Sequence, residues 1–200
     1  MKVLVAYASK YGSTGEIAAA IGRELDRLGH HTEVCGVAGA PPPTTYDAAV
    51  LGSGVYMGSW LPAASRYLDA HAAALADMPV WLFSSGPLGF EDPQPAGEPQ
   101  QVAQLIAKTA ARGHVTLTGR LERDALRLMD RLIVRAVKAP AGDFRDWDAI
   151  RTWAGAIGEA LADPAASRAA AAPSAAIASR AAAAPSAAAT ARQASARGGS

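Results

Sequence analysis

The sequence predicts an α/β domain, a parallel sheet with helices on both faces. Two observations predict it. Apolar runs alternate with helix-period segments from residue 2 to residue 162. The runs are also apolar throughout instead of on one face only, as strands buried on both sides are.

The elements follow in chain order. Residues 2–8, "KVLVAYA", form the first buried strand. In 14–28, Ile17, Ala20, Ile21, Leu25 and Leu28 recur at helical spacing and give one apolar stripe, with Glu24 the polar exception. Gly29 stands where a helix C-terminus favours glycine. Residues 31–37 alternate as a strand, "PPPTTYD" is a loop, and "AAVLGS" is a second buried run. Residues 62–76 have helical pattern, and 79–85, "PVWLFSS", are another buried strand. A helix over 99–112, a strand over 114–119, and helices over 121–138 and 146–162 complete the domain.

At Asp163 the composition changes. The direct repeat "ASRAAAAPSAA" begins at Ala166 and again at Ala178, and 163–200 holds no aromatic residue. Such a stretch buries too little apolar area to offset its ordering entropy, and Pro173 and Pro185 interrupt its alanine runs. The expected organisation is a domain over 1–162 and a disordered Ala/Pro/Ser/Arg-rich tail over 163–200. The tail carries four arginines and Asp163, so a whole-chain charge of +1 leaves the domain at about −2.

Several function classes are disfavoured by these totals. No global field argues for nucleic acid. Cys35 is the single cysteine, which excludes an intrachain disulfide framework and a cysteine-rich metal site; a small buried hydrophobe is expected there. No metal site is expected. No apolar segment approaches the ~18 residues of a membrane span. Lys2 and a strand follow the first residue directly, with no leader pattern, and the expected location is cytoplasmic.

In open parallel sheets, ligands bind at the carboxyl ends of the strands. That rule selects loops 9–14, 53–60 and 84–92. The first, "SKYGST", leads into a helix, where free backbone N–H groups and the helix dipole favour an anion. Ser9, Ser13 and Thr14 add hydroxyls, Lys10 adds charge, and Gly12 permits close approach. The spacing is neither that of a triphosphate loop nor that of a dinucleotide fingerprint, so a single terminal phosphate fits best. Ordinary capping of the helix by Ser13 is the alternative use of the same loop. The second loop, "SGVYMGSW", offers Tyr56 and Trp60 as walls for a planar ring, or as caps on the core. The third, "SSGPLGF", again joins small residues to an aromatic. Together the three loops describe a phosphate pocket followed by two walls for a flat ring.

These segments resemble the flavodoxin family over about residues 1–160. "VLVAYASKYGSTGEIAAAI" resembles its phosphate loop and first helix. "DAAVLGSGVYMGSW" and "FSSGPLG" resemble the loops on either side of the isoalloxazine. The resemblance implies a doubly wound five-stranded parallel sheet of order 2-1-3-4-5 and FMN as cofactor. It implies phosphate contacts from Ser9, Lys10, Tyr11, Gly12, Ser13 and Thr14. Ring contacts are implied for Ser53, Gly54, Val55, Tyr56, Met57, Gly58 and Trp60 on one side, and for Ser84, Ser85, Gly86, Pro87, Leu88 and Gly89 on the other.

Within the superfamily, "GRLERDALRLMDRLIVRAVKAPAGDFRDWDAI" and "GSGVYMGSWLPAASRYLDAH" resemble the menaquinone-dependent protoporphyrinogen dehydrogenase type. This implies an FMN-dependent oxidoreductase acting on protoporphyrinogen IX with a quinone acceptor. A soluble electron-transfer protein without its own substrate is the alternative. Carriers surround the flavin with acidic residues, whereas 53–60 and 84–90 contain none and Glu91 and Asp92 come late. No side chain stands out as a catalytic acid or base. His30 and His31 fall at the far end of the sheet and are expected on the surface; His71 and His114 are expected to be structural. The flavin would carry the redox chemistry.

Residues 120–138 carry a further signal. Leu121, Ala125, Leu128, Met129, Leu132, Ile133 and Ala136 share one helical arc, flanked by Arg123, Arg127, Arg131 and Arg135. The arc is expected either to pack on the sheet or, with its net charge of about +3, to hold the protein peripherally against an anionic membrane surface where a quinone is dissolved.

Overall fold

The computed structural model describes residues 1–86, 101–122, 124, 126–136 and 141–163. Strand β1 (Lys2–Ala8) is followed by α1 (Ser13–Arg27), β2 (His31–Gly36), a 3₁₀ turn at Pro43–Thr45, and β3 (Ala48–Tyr56). A two-residue strand, β4 (Ser59–Trp60), turns back on β3 before α2 (Pro62–Ala70) and α3 (Ala72–Ala76). Then come β5 (Val80–Ser85), α4 (Val102–Thr109), β6 (Gly113–Leu117), β7 (Arg120–Leu121), α5 (Leu128–Ala136), β8 (Gly142–Asp143) and α6 (Trp147–Ala162).

The central sheet has the order β2-β1-β3-β5-β6, all parallel, with β4 antiparallel at the end of β3. Counting the five parallel strands alone, this is 2-1-3-4-5, the expected order. The order reverses beside β1, so the chain leaves β1 and β3 toward opposite faces of the sheet, α1 on one and α2 on the other, and a crevice is expected outside their carboxyl ends.

Successive side chains of a strand point to opposite faces, and β1 shows what that does to the core. Val3 and Val5 enter one cluster with Ile17, Ile21 and Leu25 of α1, Phe83 of β5, and Trp153 and Ile157 of α6. Leu4 and Ala6 enter the other, with Leu51, Leu68, Leu75, Leu82 and Leu105. Both faces are therefore dry, which explains why the strands are apolar throughout. Phe83 is fully buried, and such burial contributes about 1.5–3 kcal/mol. It fits because Gly52 lies opposite: a Cβ there would stand 2.0 Å from Phe83 Cζ.

A polar network ties the last strands to α1. Arg145, almost wholly buried, pairs with Glu16 of α1 at 2.6 Å and with Asp143 at 2.5 Å, and its guanidinium lies 4.4 Å from the Trp147 ring centroid. Arg120 adds a second pairing to Glu16 at 2.6 Å. Asp146 caps α6, accepting from the N–H groups of Asp148 and Ala149 at 3.0 and 2.9 Å. The "GDFRDWD" turn thus fixes where α6 starts.

Four expectations are corrected. The helix expected over 62–76 is two helices divided at His71, whose ring packs against Tyr67 at 4.6 Å between centroids. The helix expected over 121–138 begins only at Leu128, because Arg120–Leu121 pairs with Gly142–Asp143 as a strand. His30 is buried, not on the surface, and its Nε2 lies 3.2 Å from the Gly158 carbonyl. Leu128, Met129 and Leu132, one of two placements expected for their arc being on the sheet, are 75%, 69% and 58% exposed. Cys35 is half-buried beside the second core cluster. The C-terminal repeat lies outside the described residues, as do Pro87, Leu88 and Gly89. Among the described residues no helix is long and apolar enough to cross a membrane.

Candidate functional site

The site forms where β1, β3 and β5 end. After Ala8, the Gly12 N–H donates to Ser9 Oγ at 3.0 Å and closes a tight turn. Gly12 has φ of 88°, a left-handed conformation that glycine adopts without a Cβ clash. It is also the N-cap of α1, so the start of this fifteen-residue helix has no side-chain cap. Capping by Ser13 is therefore not what the loop does. Ser13 is the first helical residue, and its Oγ accepts the Arg120 N–H at 3.1 Å.

An uncapped helix start leaves its first N–H groups for a ligand, and the macrodipole favours an anion there. Thr14 stands at this start, 3% exposed. Gly54 of β3 comes close to it: a Cβ on Gly54 would lie 3.2 Å from Thr14 Oγ1. The segments 9–14 and 53–60 are in contact. Their donors are backbone N–H groups and hydroxyls, which match a phosphate ester.

The second loop is a hairpin with Met57 and Gly58 at its tip, both at positive φ, 51° and 75°. Two such residues fit the tight turn that matches strand twist. Glycine does this readily; methionine does not, and its side chain is 82% exposed. Ser53 is buried, with its Oγ accepting the Leu61 N–H at 3.0 Å and lying 2.9 Å from the Gly54 carbonyl. It holds the hairpin from within.

The two aromatics of this loop part company. Tyr56 is half-buried at the site. Trp60 is 3% exposed and turned into the second core cluster, where its Nε1–H donates to Ser84 Oγ at 2.8 Å. Ser84 Oγ in turn lies 2.8 Å from His114 Nε2. Trp60 and Ser84 are thus members of a buried network, because an indole N–H in the core needs an acceptor. His114 is buried. Val55 and Gly86 bring the second and third loops together, since a Cβ on Gly86 would stand 3.1 Å from the Val55 carbonyl oxygen. Ser85 lies beside them, buried.

Asp130 of α5 was not among the expected site residues. Its carboxylate receives Lys10 Nζ at 2.8 Å and the hydroxyls of Tyr11 and Tyr56. Lys10 also lies 4.1 Å from the Tyr56 ring centroid. The hydrogen bonds from Lys10, Tyr11 and Tyr56 hold the Asp130 carboxyl well below the usual carboxylate range. The same bond, followed by burial, raises the Tyr56 phenol; burial leads for Tyr11. No local pattern points to Asp130, which lies 120 positions from Lys10. Among the described residues no cluster of His, Cys, Asp and Glu is arranged to hold a metal ion.

Residues 4–148 match the family described as "Flavodoxin domain". The chain is a member of the flavodoxin family. Membership makes it a flavoprotein of oxidoreductase type with FMN as cofactor, and the donors around α1 fit that group. The flavodoxin-like chain is similar to protoporphyrinogen IX dehydrogenase [quinone] of Escherichia coli K12, with 22% identity over 168 residues, 77% of this chain and 93% of that protein. Among solved structures it is similar to a flavodoxin from the domain Archaea, with a TM-score of 0.58 and 14% identity over 82% of this chain and all of that one. It is also similar to rubredoxin oxygen:oxidoreductase of Desulfovibrio gigas, with a TM-score of 0.56 and 14% identity, over 80% of this chain and 36% of that one. These structural likenesses concern the fold.

Proposed function

We propose that the protein is an FMN-dependent oxidoreductase that oxidises a reduced organic substrate and passes the electrons to a lipid-soluble quinone. Protoporphyrinogen IX, named for the E. coli relative, is the proposed substrate. In this reading Ser9, Gly12 and Thr14, with the first N–H groups of α1, hold the phosphate. The backbone of 53–58, the Tyr56 ring and the backbone at Ser85–Gly86 border the isoalloxazine. Residues 1–162 form the working domain and 163–200 an appended tail.

Bound FMN supplies the redox chemistry. The chain supplies position and exclusion of water. Among the described residues of the site the Asp130 carboxylate is paired with the Lys10 ammonium, which offers little of the acidic surround that suits a soluble carrier docking basic partners.

The observation that carries the reading is the outward face of α5. Leu128, Met129 and Leu132 are exposed beside exposed Arg127, Arg131 and Arg135, and Asp130 on the same helix touches the flavin loops. Exposed Met57 tips the neighbouring hairpin. Apolar side chains bordered by arginines suit an anionic lipid surface, where each cation contributes about 1 kcal/mol. A membrane-dissolved quinone would then meet the flavin directly.

Two assays test this. Flotation with anionic vesicles should carry the protein at low salt and release it at high salt, since the attraction is screened. Porphyrin fluorescence should grow when reduced porphyrin and a quinone are supplied. Equal partitioning to neutral and anionic vesicles, or loss of binding only when the tail arginines are removed, would exclude α5 as the anchor and favour a soluble carrier.

A further inference from the structure

Asp130 touches both cofactor loops at once. Lys10 and Tyr11 belong to the phosphate loop and Tyr56 to the ring loop, yet all three donate to one carboxylate. That carboxylate is 8% exposed, while Lys10 remains 35% exposed. The Arg127 N–H also donates to the Tyr11 hydroxyl at 3.5 Å, so the segment leading into α5 meets the phosphate loop a second time.

We propose that Asp130 is a positioning residue for the flavin: it joins the phosphate loop to the ring loop by fixing Tyr56, and it neutralises Lys10. The inference rests on the FMN reading of the site and names a residue outside the three loops that the reading uses. A phenol held by a buried carboxylate keeps its ring in one orientation, and a pre-set ring binds a flat ligand at a lower ordering cost. A lysine committed to a carboxylate adds no net charge to the phosphate loop, so phosphate recognition falls to the helix start and the hydroxyls.

These two effects separate by ligand. Riboflavin lacks the phosphate and reports the ring wall alone. The ratio of FMN to riboflavin affinity reports the charge at the phosphate loop. Asp130→Asn is close in shape and removes the charge. It should weaken riboflavin about three- to tenfold, the size of a lost aromatic contact. It should also raise the FMN-to-riboflavin ratio severalfold, because Lys10 is left uncompensated. Tyr56→Phe keeps the ring and loses the tie, so it should weaken riboflavin by a similar factor without raising the ratio. In the Tyr56→Phe background, Asp130→Asn should then change riboflavin affinity little more.

All titrations use the full chain stripped of flavin, read by quenching of flavin fluorescence. A helix-anchoring salt bridge alone would shift the thermal midpoint and leave both affinities in place. Unchanged riboflavin affinity in Asp130→Asn, or an unchanged or falling ratio, would overturn the inference. If the wild-type chain binds no FMN, the reading beneath it falls and the inference with it. If wild type binds FMN and Asp130→Asn binds riboflavin equally well, the inference alone falls.

Discussion

Lys10 and Asp130 form an ion pair of 2.8 Å across 120 positions of sequence. The pair brings a helix from the last third of the domain onto the loop that follows the first strand. The Asp130 carboxyl is held low by its donors, so its contribution is present above the ordinary carboxylate range and is lost as pH falls toward its folded value.

The tyrosines supply the opposite limb. Tyr11 and Tyr56 have raised phenols, as does Tyr67, pushed up to about 12 by burial. A raised phenol stabilises the fold fully below its ordinary value near 10.0 and loses that contribution as pH rises through the folded value. Phenolate absorbance of the native chain should therefore rise at higher pH than that of the denatured chain. Asp130→Asn should shift part of the native curve downward. Coincident native and denatured curves would count against the Asp130 cluster.

Gly52→Ala should destabilise the domain by about 1–3 kcal/mol, since its Cβ would enter the Phe83 ring at 2.0 Å. Gly39→Ala, with nothing within 4 Å, is the control and should leave the thermal midpoint in place. Equal midpoints for both variants would contradict the packing described between β3 and β5.

The sheet was legible because each strand is apolar on both faces, and Val3 and Val5 against Leu4 and Ala6 show why. The loop at 9–14 was legible because it carries more donors than a turn needs. Gly12, rather than Ser13, caps the helix, a choice set by backbone conformation that composition does not reveal. Trp60 is ambiguous in sequence because an indole serves equally as wall or core, and its buried partners Ser84 and His114 lie 24 and 54 positions onward. His30 was misplaced because its partner is a carbonyl of α6, 128 positions away. The start of α5 was misplaced because helical periodicity continues through Arg120 and Leu121, whereas their pairing with Asp143 and Gly142 is non-local.

A chain ending at Asp163 should keep the thermal midpoint and flavin affinity of the full chain. Helix α6 closes at Ala162, and the Asp163 N–H already completes it on Glu159. A large loss in either quantity would mean that residues beyond Asp163 dock on the domain.

Flavin binding by the phosphate loop is the central claim, and titration of flavin-free protein with FMN and with riboflavin tests it most directly. The wild-type chain should bind one FMN saturably and release it on denaturation. Ser9→Ala with Thr14→Ala should weaken FMN at least about tenfold, the scale of lost hydrogen bonds to a charged group, and leave riboflavin within about twofold. Retention of FAD in place of FMN, no saturable binding, or equal loss of both flavins in the double variant would contradict it.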